Sequence, residues 1–157
     1  MTTIMLLGSD FLDLLEPLLL MGQSVRFRVH GTSMLPCIRE RDLVTVSPPG
    51  SMPIRLGNVV AFRPPGTERL ILHRVVKICS ENFLISGDNT LEPDGIIPRS
   101  CLLGVVMQVQ RKGRAVCFGN GPEGRLFAFL VRHRLIRQAN LWKGKIGHTW
   151  RRLTTRT

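Results

Sequence analysis

The spacing of apolar residues changes period twice along this chain. Phe11, Leu14, Leu15 and Leu18 fall on one face of an amphipathic helix, which predicts an element over about residues 9–21, capped by Ser9 or Asp10 and ended by Gly22. After Gly22 the period drops to two. Val25-Arg26-Phe27-Arg28-Val29 alternates apolar and basic, the pattern of a half-buried strand with both arginines toward solvent. Runs rich in Val, Ile and Leu predict further strands at Leu43 to Val46, Asn58 to Phe62, Leu70 to Cys79, Phe83 to Ser86, Leu102 to Gln110 and Ala115 to Phe118. Between them lie turn clusters such as Ser47-Pro48-Pro49-Gly50, Gly87-Asp88-Asn89 and Glu92-Pro93-Asp94-Gly95. Short strands at this spacing predict a mainly β, mostly antiparallel domain. Past the breaker Gly119-Asn120-Gly121-Pro122, helical spacing returns through Phe127, Val131, Leu135, Ala139 and Trp142. The pattern therefore divides the chain into a β-domain over residues 1–118 and a basic helical extension over 119–157.

Composition supports one small globular unit. The 157 residues are 43% hydrophobic and 21% charged. A chain of this length buries roughly 70% of its unfolded surface, so it needs no disulfide or metal to hold it together. Charge is distributed unevenly. Residues 1–110 carry ten basic and ten acidic side chains, whereas residues 111–157 carry twelve basic ones and the single acid Glu123. A neutral body with a cationic tail predicts an anionic partner for the tail, a membrane surface or a nucleic acid. Asp10, Asp13, Glu16 and Pro17 interrupt the leucine-rich start, so neither a signal peptide nor a transmembrane helix is expected there. That favours a cytoplasmic or peripherally membrane-associated protein. Cys37, Cys79, Cys101 and Cys117 lie too far apart for a paired zinc motif, and no metal or cofactor is expected.

The candidate chemistry begins at Gly31-Thr32-Ser33-Met34-Leu35-Pro36, where a serine directly follows a strand in a tight connection. Such a turn presents the hydroxyl and leaves backbone N–H groups free, as a serine nucleophile with an oxyanion hole requires. On spacing alone it is also an ordinary turn serine. A serine hydroxyl needs a base. Of His30, His73, His133 and His148, His73 stands among aliphatic residues in the middle of a strand, where an imidazole is costly unless it is used or bonded. Lys77 is the competing base, four residues along the strand and so on the same face, but about 13 Å away at ~3.3 Å per residue. Near the strand end its amine stays hydrated and charged. Asp88, in the turn Gly87-Asp88-Asn89, is the candidate to accept a hydrogen bond from His73 and fix its tautomer, with Glu92 and Asp94 as alternatives.

In order along residues 31–90, Gly31-Thr32-Ser33-Met34-Leu35-Pro36, His73-Arg74-Val75 and Gly87-Asp88-Asn89 resemble the boxes of the signal peptidase I family, whose wider relatives include the LexA-type self-cleaving repressors. The likeness extends more loosely to about residue 110. The resemblance implies a small antiparallel β-fold of that type, with Ser33 as nucleophile. A histidine in the second box, at His73, is similar to the endoplasmic-reticulum and archaeal type, where bacterial members have lysine. It also implies Asp88 as the third catalytic residue. Family members commonly have Gly-Asp where this chain has Arg41-Asp42 and Gly57-Asn58.

Residues and resemblance together lead to a serine endopeptidase with a Ser33–His73 dyad supported by Asp88. It is expected to cleave an extended peptide or protein precursor after a small residue, through strand addition. The alternative is a non-catalytic or self-cleaving LexA-like regulatory module whose basic tail binds nucleic acid. The 22 residues before the first predicted strand are too few for a DNA-binding domain, and the tail lacks interleaved aromatic residues for base stacking.

Overall fold

The computed structural model describes residues 3–4, 9–119, 121, 123–133 and 135. Its elements are β1 (Thr3–Ile4), α1 (Ser9–Leu20), β2 (Val25–Arg28), β3 (Leu43–Ser47), β4 (Val59–Phe62), β5 (Ile71–Cys79), β6 (Asn82–Ser86), β7 (Gly95–Pro98), β8 (Leu102–Arg111), β9 (Arg114–Ala115) and α2 (Gly124–Arg132). They form a mainly antiparallel sheet in the order β1-β2-β3-β8-β4-β5-β6-β7, with β9 hairpinned onto β8 and only β1 parallel to its neighbour. The expected fold class is what the chain adopts.

Because β4 and β5 lie inside the sheet, their side chains alternate between two buried layers. Val59 and Ala61 face one core, together with Phe11, Leu15, Phe27, Val44 and Phe118. Val60, Phe62 and Val75 face the other, with Phe83, Ile85 and Val105. Helix α1 covers the first core. Its inward face is Phe11, Leu12, Leu15 and Leu19, with Leu18 partly buried; Leu14, expected inside, is 42% exposed. Leu12 and Leu19 were missed because a helix this rich in leucine offers two overlapping apolar stripes. Gly22 ends the helix as expected. At φ +79° it takes a left-handed conformation that glycine adopts freely, while Gln23 N–H donates to the Leu18 carbonyl and Gly22 N–H to that of Leu19.

Several strand boundaries shift by one residue, and three differences are larger, the first being β1 at Thr3–Ile4, where no strand is expected from the sequence. β7 went unpredicted, since Ile96-Ile97 between Gly95 and Pro98 is too short to show a period. The predicted strand at Ala115 to Phe118 is extended only over Arg114–Ala115, with Val116 bonding back to Val109. In β5 the pairing with β6 slips by one residue between Val75 and Lys77. A slip of one inverts the alternation, so His73 and Lys77 point to opposite faces instead of sharing one. Lys77 is exposed.

The C-terminal region begins with the predicted helical spacing. Gly124, Ala128 and Val131 of α2 are buried and Phe127 packs on the first core, whereas Leu126 and Phe129 face outward. Ala139, Trp142 and most of the cationic tail lie outside the described residues. None of the described helices is long and apolar enough to cross a membrane.

Candidate active site

Ser33 lies in the connection from β2 to β3, which is folded back on itself by its own polar groups. Asp42 Oδ2 accepts from Arg39 N–H at 2.8 Å, and Arg111 grips both Asp42 oxygens at 2.9 and 2.7 Å while donating to the Cys37 carbonyl at 3.2 Å. Burial opposes the Asp42 charge, but the Arg111 and Arg39 bonds outweigh it and hold the carboxyl below its usual range. Arg41, standing where the resembled family commonly has glycine, takes φ +66°. Asn58 does for its own turn what Asp42 does here, its Oδ1 accepting from Arg55 N–H at 2.7 Å. The two departures from Gly-Asp therefore keep the turn chemistry.

The structure brings Ser33 and His73 together around Gly87. Asn89 N–H donates to the Ser33 carbonyl at 2.7 Å, and Asn89 Nδ2 to the Thr32 carbonyl at 3.3 Å, which docks the β6–β7 loop on the serine turn. A Cβ built on Gly87 would stand 2.9 Å from His73 Nε2, 2.9 Å from the Ser33 carbonyl and 2.6 Å from Thr90 Cγ2. The absent side chain is what lets the imidazole and the serine turn close on each other. Gly87→Ala is accordingly expected to force the β6–β7 loop off the serine turn and cost about 1–3 kcal/mol of stability. A urea midpoint measures this, and a wild-type midpoint in the variant would refute it. The Ser33 hydroxyl itself is not hydrogen-bonded to His73 among the described residues. Catalytic hydrogen bonds commonly tighten only when substrate is bound.

His73 is 5% exposed and lies against Phe62, and its Nδ1–H donates to Asp94 Oδ2 at 2.6 Å. This bond fixes the tautomer, leaving Nε2 as the basic nitrogen beside Gly87. The carboxylate expected in this place was Asp88, but the structure brings Asp88 to Arg74. Arg74 Nε and Nη2 donate to its two oxygens at 2.8 and 2.7 Å, with both side chains wholly buried. The reason is the pleat. His73 and Arg74 are adjacent in β5 and project to opposite faces, so each takes one carboxylate. Asp94 immediately precedes β7, and its N–H donates to the Ile85 carbonyl. A strand that short left no periodic signal to point to it.

Cys37 is the other nucleophilic side chain near the turn. Burial first, then the Asp88 carboxylate, push its thiol up to about 12. At neutral pH it carries no thiolate, the form that attacks. Among the described residues no three His, Cys, Asp or Glu side chains gather as a metal site.

The comparison with known protein families concerns the chain as a whole. The family model described as Peptidase S24-like matches residues 6–107, a span that contains Ser33, His73, Asp88 and Asp94. That family includes serine peptidases and LexA-like self-cleaving regulators. The chain belongs to the Peptidase S24-like family.

Proposed function

We propose that the protein is a serine endopeptidase in which Ser33 attacks the scissile carbonyl, His73 Nε2 takes its proton and Asp94 steadies the imidazolium. The observation that carries this reading is the 2.6 Å Asp94–His73 bond, which leaves Nε2 beside the serine turn. As the tetrahedral intermediate collapses and its C–N bond breaks, the protonated His73 gives its proton to the leaving amine, and the neutral His73 then takes a proton from the water that attacks the acyl-Ser33 carbonyl. The neutral thiol of Cys37 and the outward Lys77 leave no equal competitor in the described structure.

An extended substrate fits the strand edge next to His73. β5 pairs with β4 along Ile71–Arg74, but β6 joins it only from Arg74 onward. Among the described residues the other edge of Ile71 and Leu72 has no strand beside it, so a peptide can add there and bring its scissile bond to Ser33. Signal-peptide-like precursors, cleaved after a small residue, are the substrate class that the sequence boxes suggest.

Asp94→Asn tests the arrangement. An amide keeps the shape but can hold the wrong tautomer and cannot offset the imidazolium charge, so kcat is expected to fall by about 10⁴-fold with folding preserved. Unchanged kcat for a short peptide would remove Asp94 from the mechanism.

The site of action proposed is an anionic membrane surface. On the outer side of α2, Leu126 is 58% and Phe129 54% exposed, flanked by the exposed Arg125 and Arg132. Apolar side chains that insert between cations that meet headgroups suit such a surface, with about 1 kcal/mol gained per basic residue close to it. The protein should sediment with anionic but not neutral vesicles and be released by high salt. Salt-sensitive binding to DNA without vesicle binding would replace this reading with the nucleic-acid module.

A further inference from the structure

Arg74 ties three separate parts of the chain together. Besides its two bonds to Asp88, its Nη1 donates to the Gly57 carbonyl at 2.8 Å and the Gly119 carbonyl at 3.1 Å, and its Nη2 to the Phe118 carbonyl at 2.8 Å. All five guanidinium donors are thus used. The ring of Phe127, from α2, lies with its centroid 5.1 Å from Arg74 Cζ and closes the remaining face as a cation–π partner.

Helix α2 has one seat. A Cβ on Gly57 would fall 2.2 Å from the Gly124 carbonyl oxygen, and one on Gly124 would fall 2.7 Å from that of Gly119. Backbone against backbone, these glycines fix where Phe127 enters.

We infer that Phe127 is a positioning residue for the active site, holding Arg74 so that Arg74 holds the Asp88 loop against Ser33. The inference rests on the reading of Ser33 and His73 as the catalytic pair. The chain of contacts is short: Phe127 on Arg74, Arg74 on Asp88, and then Asn89, the next residue, on the Ser33 carbonyl. Arg74 is also the backbone neighbour of His73, so its displacement moves both partners of the dyad. A truncation near Gly119 that spares Ser33, His73 and Asp94 removes Phe127 and lowers activity toward even a short soluble peptide.

The test compares Phe127→Leu, which keeps apolar bulk but lacks the ring, with Phe127→Tyr, which keeps the ring, in the full-length protein. For a short peptide, Phe127→Leu should lower kcat about tenfold with KM unchanged, and Phe127→Tyr should stay within about twofold of wild type. In ¹H–¹⁵N spectra the Arg74 Nε–H and Asn89 amide signals should move in Phe127→Leu and not in Phe127→Tyr. If Phe127→Leu fails to fold, Phe127→Met takes its place in the same comparison. A lowered melting temperature with wild-type kcat and an unmoved Asn89 signal would reduce Phe127 to packing and overturn the inference. If wild type hydrolyses nothing, the peptidase reading fails, while the Asn89 signal still decides whether α2 and the serine turn are coupled.

Discussion

Ser33→Ala is expected to abolish peptide hydrolysis without unfolding the protein. The substitution removes only a hydroxyl from a half-buried turn that is held by backbone bonds through Ser33 O and by the Asp42–Arg111 pair, none of which involves Oγ. Loss of a serine nucleophile or its histidine base costs on the order of 10⁶-fold in kcat where this has been dissected. His73→Ala should therefore be as inactive as Ser33→Ala, and the double variant little worse than either, since the two act as one unit. Lys77→Ala should retain nearly full activity, because the slip in β5 turns Lys77 to the opposite face. Circular dichroism and a thermal melt establish that the variants are folded. Substantial activity in clean Ser33→Ala, or an inactive Lys77→Ala beside an active His73→Ala, would contradict the assignment.

The second large effect is on stability. Arg74 and Asp88 have no exposed side-chain surface, so removing either one leaves the other charged in a place without water. Burial opposes the guanidinium charge, yet the Asp88 bonds override it and raise the Arg74 pKa further above its ordinary value. Arg74→Ala or Asp88→Ala is expected to cost about 3–5 kcal/mol, read from the shift in urea midpoint. The cost comes from the stranded charge more than from the lost attraction. A double replacement by apolar residues, Arg74→Met with Asp88→Leu, should thus recover part of it. Single variants within about 1 kcal/mol of wild type would show that water reaches the pair.

The fold was legible because period is visible wherever an element is long. β5 and β8 show themselves by long stretches rich in Val, Ile and Leu, and α2 by Phe127 and Val131 four apart. β7 is four residues with a glycine and a proline, too short for any period. Ser33 and His73, which the structure places on either side of Gly87, are singled out in the sequence by unusual neighbours: a rigid Gly-to-Pro turn in one case, an imidazole amid leucine and valine in the other. The carboxylate partner could not be found that way. Asp88 and Asp94 lie six residues apart in the same turn-rich stretch, and which of them meets His73 depends on the two faces of β5, a property of the folded sheet. For the same reason nothing in the sequence marks Arg74, beyond its place in the His73-Arg74-Val75 box, as the residue that binds Gly57, Asp88, Phe118 and Gly119 at once. Contacts that join distant segments leave no local pattern.

The central claim is that Ser33 is the nucleophile, and covalent capture tests it most directly. A peptidyl phosphonate with a small residue next to the reactive phosphorus is incubated with wild type, Ser33→Ala and His73→Ala, and the labelled residue is located by tandem mass spectrometry. The account predicts one label per wild-type chain on Ser33, none in Ser33→Ala, and labelling slowed by orders of magnitude in His73→Ala. A wild-type protein that hydrolyses peptides while the label lands on Cys37, or on no residue of the Ser33 turn, would contradict it.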